Sequence, residues 1–290
     1  MTAEIFLFAL AFIWLAVASL QDIKKREVAN WLSFSLILFA LAFRGFYALF
    51  NADFWFFLNG VIGLAIFYAI ATALYYARLF AGGDLKLLMA LGAVLPVYGS
   101  FLGNIIFLLI FIFLFMAAGS VYSLIYTAFL VAGRRKEFAA EIKQQFRNNK
   151  SLFTLSLIAA VFALIAVLIS FSFFQFAGEG LLFVFPPLIF ALPFLYVYAK
   201  AVEEACMIKN VRASELAIGD WLYKPVRAGK KIIEPDWQGL SEEEIRLLKR
   251  HKKKVLIKQG VPFVPSFLMA FIFLVWLRYS YLYAALLGIF

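Results

Sequence analysis

Two aspartates lie where their carboxylates could work together. Asp22 follows the first long uncharged run of the sequence, and Asp84 stands just before a later one. Two carboxylates about 3 Å apart cannot both ionise, so they share a proton and titrate as a pair. One can then act as a general base on water while the other protonates a carbonyl oxygen under attack. These residue types therefore allow the chemistry of an aspartic protease.

The residues around Asp84 extend this interpretation. Gly82 and Gly83 precede it, and glycine permits tight turns and close backbone approach, so an extended peptide could come near the acid. Lys86 could tune the carboxylate pair, contact a substrate, or be a positive charge at a membrane boundary. Each aspartate alone could likewise be an interfacial charge beside basic residues. The sequence leaves these alternatives open.

Other kinds of site have little support. Cys206 is the single cysteine and His251 the single histidine, which excludes an intrachain disulfide and the usual cysteine-rich zinc sites. The phosphate-binding pattern G-x-x-x-x-G-K-[ST] does not occur. We therefore predict neither a metal nor a cofactor.

The composition indicates which elements carry these residues. Of the 290 residues, 65% are hydrophobic and 15% are charged, whereas average soluble domains are about 45–50% apolar and about 25% charged. This excludes an ordinary soluble enzyme, and the 36 phenylalanines exclude a disordered chain. We predict an all-α polytopic membrane protein. The first apolar run has no basic residue before it, so we expect it to be retained rather than cleaved as a signal peptide.

Long uncharged runs predict about eight transmembrane helices, since one span needs about 20 apolar residues. The longest run is divided at residues 96–100, which contain Pro96 and Gly99. The predicted spans lie near 3–21, 30–50, 54–78, 85–98, 101–132, 152–176, 180–200 and 262–286.

The basic residues give the orientation. Of the 27 Lys and Arg residues, 25 fall in the loops after spans one, three, five and seven, and Arg44 and Arg278 fall near the other face. Cytoplasmic loops carry the excess of positive charge, so these loops are predicted to be cytoplasmic. Two spans separate Asp22 from Asp84, which places both acids on that same face.

The sequence predicts three parts: a membrane domain over 1–200, a small cytoplasmic α+β domain over 201–260 and a final transmembrane helix within 261–290. In the second part, Ser241 and Glu244 form a capping-box pattern that predicts a helix ending at His251. Strands are predicted at 221–226, 231–233 and 254–258.

The basic run at residues 250–254 belongs to this small domain. A nucleic-acid site needs a wider basic surface than five residues, whereas anionic lipid beside a cytoplasmic loop accounts for the same charge. We therefore predict anionic lipids as partners and no nucleic acid. The oligomeric state is left open.

Three segments resemble motifs of one family. Asp22 with Val28-Ala29-Asn30 resembles the "D…(V/I)PN" region of type IV prepilin peptidases and archaeal preflagellin peptidases. Residues 82–86 resemble their G-x-G-D-x-K motif, and residues 260–268 resemble their late "G-I-P-F-x-P-x-F" segment. The three segments occur in family order. Ala81 replaces the first motif glycine, and Ala29 replaces the usual proline.

The resemblance implies a membrane aspartic endopeptidase that removes basic leader peptides from prepilin-like or preflagellin-like proteins at the cytoplasmic surface. It implies that Asp22 and Asp84 are the catalytic pair. The cysteine cluster of bacterial members is missing, so N-methyltransferase activity is not expected and an archaeal type is favoured. The further residues expected to bind substrate or shape the site are Gly82, Gly83, Lys86, Pro262 and Pro265.

Two other functions remain open. A proton-coupled transporter could use the two aspartates as a relay, although its acids would be expected near the membrane midplane and its halves would often repeat. An inactive relative of the peptidases could instead hold a partner during pilus assembly.

Overall fold

The computed structural model describes residues 2–97, 99–174, 179–229, 231–251 and 254–280. The chain divides into two compact units. One comprises the residues up to Ile125 and those from Val261 onwards, and the other comprises Tyr126–Gly260. The three-part division at 200 and 260 stays a prediction.

The first unit holds Asp22 and Asp84, and its described residues form helices and short connections without a strand. Its helices follow the uncharged runs of the sequence, and α3 begins where the Asp53 side chain accepts a hydrogen bond from the Phe56 N–H at 3.2 Å. The helices are α1 (Thr2–Lys25), α2 (Asn30–Asn51), α3 (Phe54–Tyr76), α4 (Gly82–Val94), α5 (Phe101–Gly133), whose last turns belong to the second unit, and α10 (Val264–Tyr279).

Phenylalanine side chains fill much of the core of this unit. Phe107, Phe111 and Phe115 of α5 and Phe267 of α10 are fully buried. The rings of Phe115 and Phe267 lie 4.2 Å apart between centroids. These contacts place α10, near the end of the chain, beside helices from its first half.

The predicted polytopic helical fold is confirmed. Six helices in the described part are long and apolar enough to cross a membrane, namely α1, α2, α3, α5, α7 and α8. α10 is a shorter apolar helix, and residues 281–286 of its predicted span lie outside the described residues.

α4 differs from its predicted range of 85–98. It begins at Gly82 and ends at Val94, two residues before Pro96, whose missing N–H cannot extend the helical hydrogen bonding. Its 13 residues rise about 20 Å, less than the roughly 30 Å of a bilayer's hydrocarbon core. Tyr98, which lies within the predicted dividing segment, is outside the described residues.

The second unit combines helices with a small sheet region. It contains α6 (Arg135–Asn148), α7 (Lys150–Phe174), α8 (Phe185–Cys206), α9 (Glu242–Arg250) and two short 3-10 helices, Glu179–Val184 and Ala213–Glu215. α6 lies in the segment that the sequence analysis had treated as a loop between two spans. Its side chains are all at least partly exposed.

Five strands form two antiparallel sheets in this unit. β1 (Ile208–Arg212), β2 (Trp221–Leu222) and β5 (Lys254–Lys258) form a sheet of order β1-β5-β2, with Ile208 paired to Lys258. β3 (Val226–Ala228) and β4 (Lys231–Ile233) form a hairpin. The predicted strand at 221–226 is thus divided: Trp221–Leu222 pairs with β5, and Val226 begins the hairpin strand β3.

The capping box before α9 forms as predicted. Ser241 accepts a hydrogen bond from the Glu244 N–H at 3.4 Å, and Glu244 accepts one from the Ser241 N–H at 2.9 Å. Leu248 of α9 is fully buried and packs with strand residues. In the basic run 250–254, Lys252 and Lys253 lie outside the described residues.

Candidate active site

Asp22 lies one turn before the end of α1 and is buried, with 7% of its surface exposed. Its Oδ2 accepts a hydrogen bond from the backbone N–H of Val264 at 2.9 Å. The Phe263 N–H also interacts with this carboxylate, and Arg26 attracts it electrostatically. Asp22 therefore links α1 to the start of α10.

The start of α10 suits a carboxylate. The first N–H groups of a helix have no partner within it, and the helix dipole places partial positive charge there. Val264 is the first residue of α10 and Pro265 the second. Proline lacks an N–H and fits the first turn of a helix. Pro262 and Pro265, both buried, therefore flank the residues whose N–H groups face Asp22.

Asp84 is the third residue of α4 and is half-buried. Its Oδ2 accepts a hydrogen bond from the Ala81 N–H at 3.3 Å, just before the helix begins. Ala81 has extended backbone, with φ −78° and ψ 163°. An alanine adopts this conformation readily, so the replacement of the family's first glycine needs no unusual backbone.

The two aspartates lie close enough for the Asp22 charge to act directly on Asp84. They come from opposite ends of their helices, Asp22 from the end of α1 and Asp84 from the start of α4. Two acids that interact electrostatically can divide the roles of base and acid.

Two hydrogen bonds hold the segment between α1 and α2 beside the acids. The Ala29 N–H donates to Gln21 Oε1 at 3.3 Å, and Lys86 Nζ donates to Asn30 Oδ1 at 2.6 Å. Lys86 thereby joins α4 to the first residue of α2. The sequence suggested three roles for Lys86 and did not suggest this partner.

The glycines of the motif do not form a tight turn. Gly82 and Gly83 open α4, and neither has positive φ. A Cβ at Gly82 would meet no atom within 4 Å, and one at Gly83 would lie 3.6 Å from Val28 Cβ. The glycines therefore open a helix, and close approach of a substrate backbone to them stays a prediction.

Sequence reasoning missed the two backbone donors to Asp22, since any residue type supplies an N–H. It also missed Arg44, which the distribution of basic residues predicts near the outer face. The Arg44 side chain is fully buried among α2, α3 and α4. A single arginine inside a long apolar run was the available signal.

Among the described residues, no group of three or more His, Cys, Asp and Glu side chains is arranged to hold a metal. The prediction that the protein uses neither a metal nor a cofactor is not decided by this arrangement. Two carboxylates and a water molecule are sufficient for the chemistry of an aspartic protease.

Comparisons with known proteins cover the region of both aspartates. Residues 9–132 match the sequence profile of the type IV leader peptidase family. The preflagellin peptidase of Methanocaldococcus jannaschii is 29% identical over 91 residues, which cover 31% of this chain and 38% of that protein.

Two further relatives match part of the chain with similar identity. The prepilin peptidase EppA of Methanothermobacter thermautotrophicus is 29% identical over 170 residues, covering 54% of this chain and 44% of the relative. The preflagellin peptidase of Methanococcus voltae is 28% identical over 91 residues, covering 31% and 39%. The matches thus span less than half the length of these relatives. No solved structure matches the chain significantly.

Proposed function

From the match of residues 9–132 to the type IV leader peptidase family, we propose that this chain is a membrane-embedded aspartic endopeptidase. Its substrates are prepilin-like or preflagellin-like proteins, and it cleaves their leader peptides at the cytoplasmic face. The electrostatic contact between Asp22 and Asp84 carries the proposal, because the two acids come from separate motifs that both fall within the matched region.

We assign the general base to Asp22 and the general acid to Asp84. N–H groups at the start of α10 stabilise the anionic form of Asp22, whereas the one backbone bond described for Asp84 is longer, at 3.3 Å. Asp22 removes a proton from water as its oxygen attacks the scissile carbonyl carbon, and Asp84 donates a proton to the carbonyl oxygen.

The second half of the reaction restores the pair. Asp22 passes its proton to the leaving nitrogen as the C–N bond breaks, and Asp84 takes back a proton as the new carboxyl group forms. Water is consumed and the two carboxyl groups end with the protons they began with. This requires both acids at one site and no other reactant.

The cytoplasmic location rests on charge. The segment after Asp22 contains Lys24, Lys25 and Arg26, and the loops on that side hold 25 of the 27 basic residues. A basic leader would be held there by anionic lipid rather than by the protein, whose cytoplasmic segments are themselves basic. The apolar segment that follows the leader would lie in the membrane.

Cleavage by the intact chain tests this function. The chain is produced with a prepilin-type substrate, and the shorter product is detected on a gel and located by mass spectrometry. We expect the wild type and Asp53→Asn to yield product and Asp84→Asn to yield none. Asp53 is a matched control, because it caps α3 and asparagine caps equally well. Product from Asp84→Asn at the wild-type rate would contradict the proposal.

A further inference from the structure

The buried Arg44 has an unusual set of partners. Its Nε donates to the Ala93 carbonyl at 2.8 Å, and its Nη2 donates to those of Val94 at 3.0 Å and Pro96 at 2.5 Å. Its Nη1 donates to the Phe56 carbonyl at 2.8 Å, and the Phe56 ring lies 4.5 Å from the guanidinium carbon. Every described hydrogen-bond partner is a backbone carbonyl.

Three of these carbonyls belong to the end of α4 and the residues just after it. The last carbonyls of a helix have no partner within it, and the helix dipole places partial negative charge there. In water these groups would be hydrated, but at membrane depth the protein must satisfy them itself. Arg44 lies seven residues, or about 10 Å, before the end of the membrane-length helix α2.

The surrounding helices are shaped to admit this side chain. A Cβ at Gly60 would lie 2.4 Å from Arg44 Cδ, so only glycine leaves room for the side chain in this position. A Cβ at Gly63 would lie 2.3 Å from the Gly92 carbonyl oxygen, and one at Gly92 would lie 2.4 Å from the Gly63 oxygen. α3 and α4 therefore touch backbone to backbone, beside the guanidinium.

From this arrangement we propose that Arg44 is a positioning residue for Asp84. α4 is a short helix of 13 residues with Asp84 in its first turn and the carbonyls bound by Arg44 at its end. A helix moves as one body, so a shift at its last turn moves its first turn as well. Arg44 fixes the position of α4 along α2 and α3, and thereby holds Asp84 next to Asp22. The predicted effect of Arg44 on kcat rests on the proposed peptidase function. The predicted position of α4 does not.

A cross-link measures the position of α4 without any cleavage. Cβ atoms at residues 28 and 83 would lie 3.6 Å apart, within the range that a disulfide spans. In a Cys206→Ser background, Val28→Cys with Gly83→Cys should form a disulfide quickly under mild oxidation. Adding Arg44→Met should slow this reaction by about tenfold or more, whereas adding Arg134→Met should not. Arg134 is a suitable control because its Nη1 also donates to a backbone carbonyl, that of Ala205 at 3.1 Å, in the unit that does not hold the two acids.

The kinetic test uses the full chain, without the cross-linking cysteines, in lipid nanodiscs. Arg44→Met should lower kcat by about 10- to 100-fold and change KM by less than about threefold, since misplacement of an acid impairs the chemical step more than binding. Arg44→Lys keeps the charge but not the forked geometry, so it should restore part of kcat. Arg134→Met should retain the wild-type kcat.

A second variant tests the proposal in case Arg44→Met does not fold. If Arg44→Met is recovered unfolded, Gly60→Ala serves in its place, since it displaces the Arg44 side chain and keeps its charge. It should slow the cross-link and lower kcat in the same direction. A folded Arg44→Met with wild-type cross-linking and wild-type kcat would overturn the proposal. If the wild type cleaves no leader substrate, the proposed function fails, and the cross-link still decides the role of Arg44.

Discussion

At the scale of single residues, both acids are positioned by backbone donors. Asp22 accepts from Val264, which is 242 residues away in sequence, and Asp84 accepts from Ala81, three residues before it. An N–H can be supplied by any residue except proline. The motifs around these donors therefore constrain backbone shape more than side-chain chemistry.

The bond between Lys86 and Asn30 gives a prediction at this scale. Lys86→Met and Asn30→Ala should each lower kcat/KM by about three- to tenfold, as expected for the loss of about 0.7–1.4 kcal/mol from an exposed hydrogen bond. The double variant should be no worse than the stronger single one, because both remove the same contact. Steady-state cleavage assays measure this, with Lys24→Gln as a control. Fully additive losses would show that Lys86 acts elsewhere.

The first motif position gives a second prediction. Ala81 already has the extended backbone that precedes α4, so Ala81→Gly should change the cleavage rate by no more than about twofold. Initial rates at saturating substrate provide the comparison. A rise of tenfold or more would mean that the alanine impairs the site, in favour of a weakly active or inactive relative.

The candidate acids could be found from sequence because a charge beside a long apolar run is conspicuous. Asp22 and Asp84 stood out in this way, and Lys86 with them. Their partners could not be found, since the Val264 N–H and the Asn30 amide become relevant only once α10, α2 and α4 are packed together.

At the scale of elements, α4 shows what apolar runs leave undetermined. A run of 47 uncharged residues indicates how much chain is apolar, but helix ends depend on local chemistry. α4 starts at the glycines and stops before Pro96, which makes it shorter than its predicted span. The segment containing α6 was recognised by its charge, and its helix was not predicted.

The capping box of α9 gives a prediction for an element. Ser241→Ala removes the acceptor for the Glu244 N–H and should cost about 1 kcal/mol in local stability. Amide hydrogen exchange of the full chain should show about fivefold faster exchange within Glu242–Arg250. Ser120→Ala, a serine inside α5 that bonds the Met116 carbonyl, is the control and should leave α9 unchanged. Unchanged exchange in Ser241→Ala would show that burial of Leu248 alone holds the helix.

The same box predicts a pH dependence. The backbone hydrogen bond from Ser241 lowers the pKa of the Glu244 carboxyl below its ordinary value. The stabilisation is therefore present above the unfolded value of about 4.3 and is lost as pH falls through the lower folded value. Protection of α9 should drop on acidification in the wild type and depend less on pH in Glu244→Gln. Equal pH dependence in the two proteins would contradict this.

At the scale of the whole molecule, charge and helix count predict orientation. Single cysteines replacing Lys24, Arg135 and Lys231 in a Cys206→Ser background should react only with membrane-permeant reagents in intact cells. A cysteine at Asn51 should react with impermeant ones, since it lies at the other end of α2. Labelling of Asn51 and Lys231 from the same side would contradict the predicted topology.

The sequence predicts the fold class of the whole molecule. It does not predict which helices pack against each other. Composition together with the long uncharged runs indicates a helical membrane protein, because a helix satisfies its own backbone groups within the lipid. The contact between α1 and α10, and the closeness of Asp22 and Asp84, depend on which helix faces pack together. Hydropathy gives the length of a membrane helix and not its neighbours.

The central claim is that Asp22 and Asp84 act as one catalytic unit. Single-turnover cleavage of a leader substrate by purified Asp22→Asn, Asp84→Asn and the double variant tests it most directly, with Asp53→Asn as the control. We expect each single variant to fall to the background rate, and the double variant to be no slower, since loss of either acid disables the unit. Substantial activity in either single variant, or a double variant much slower than both, would contradict the shared mechanism.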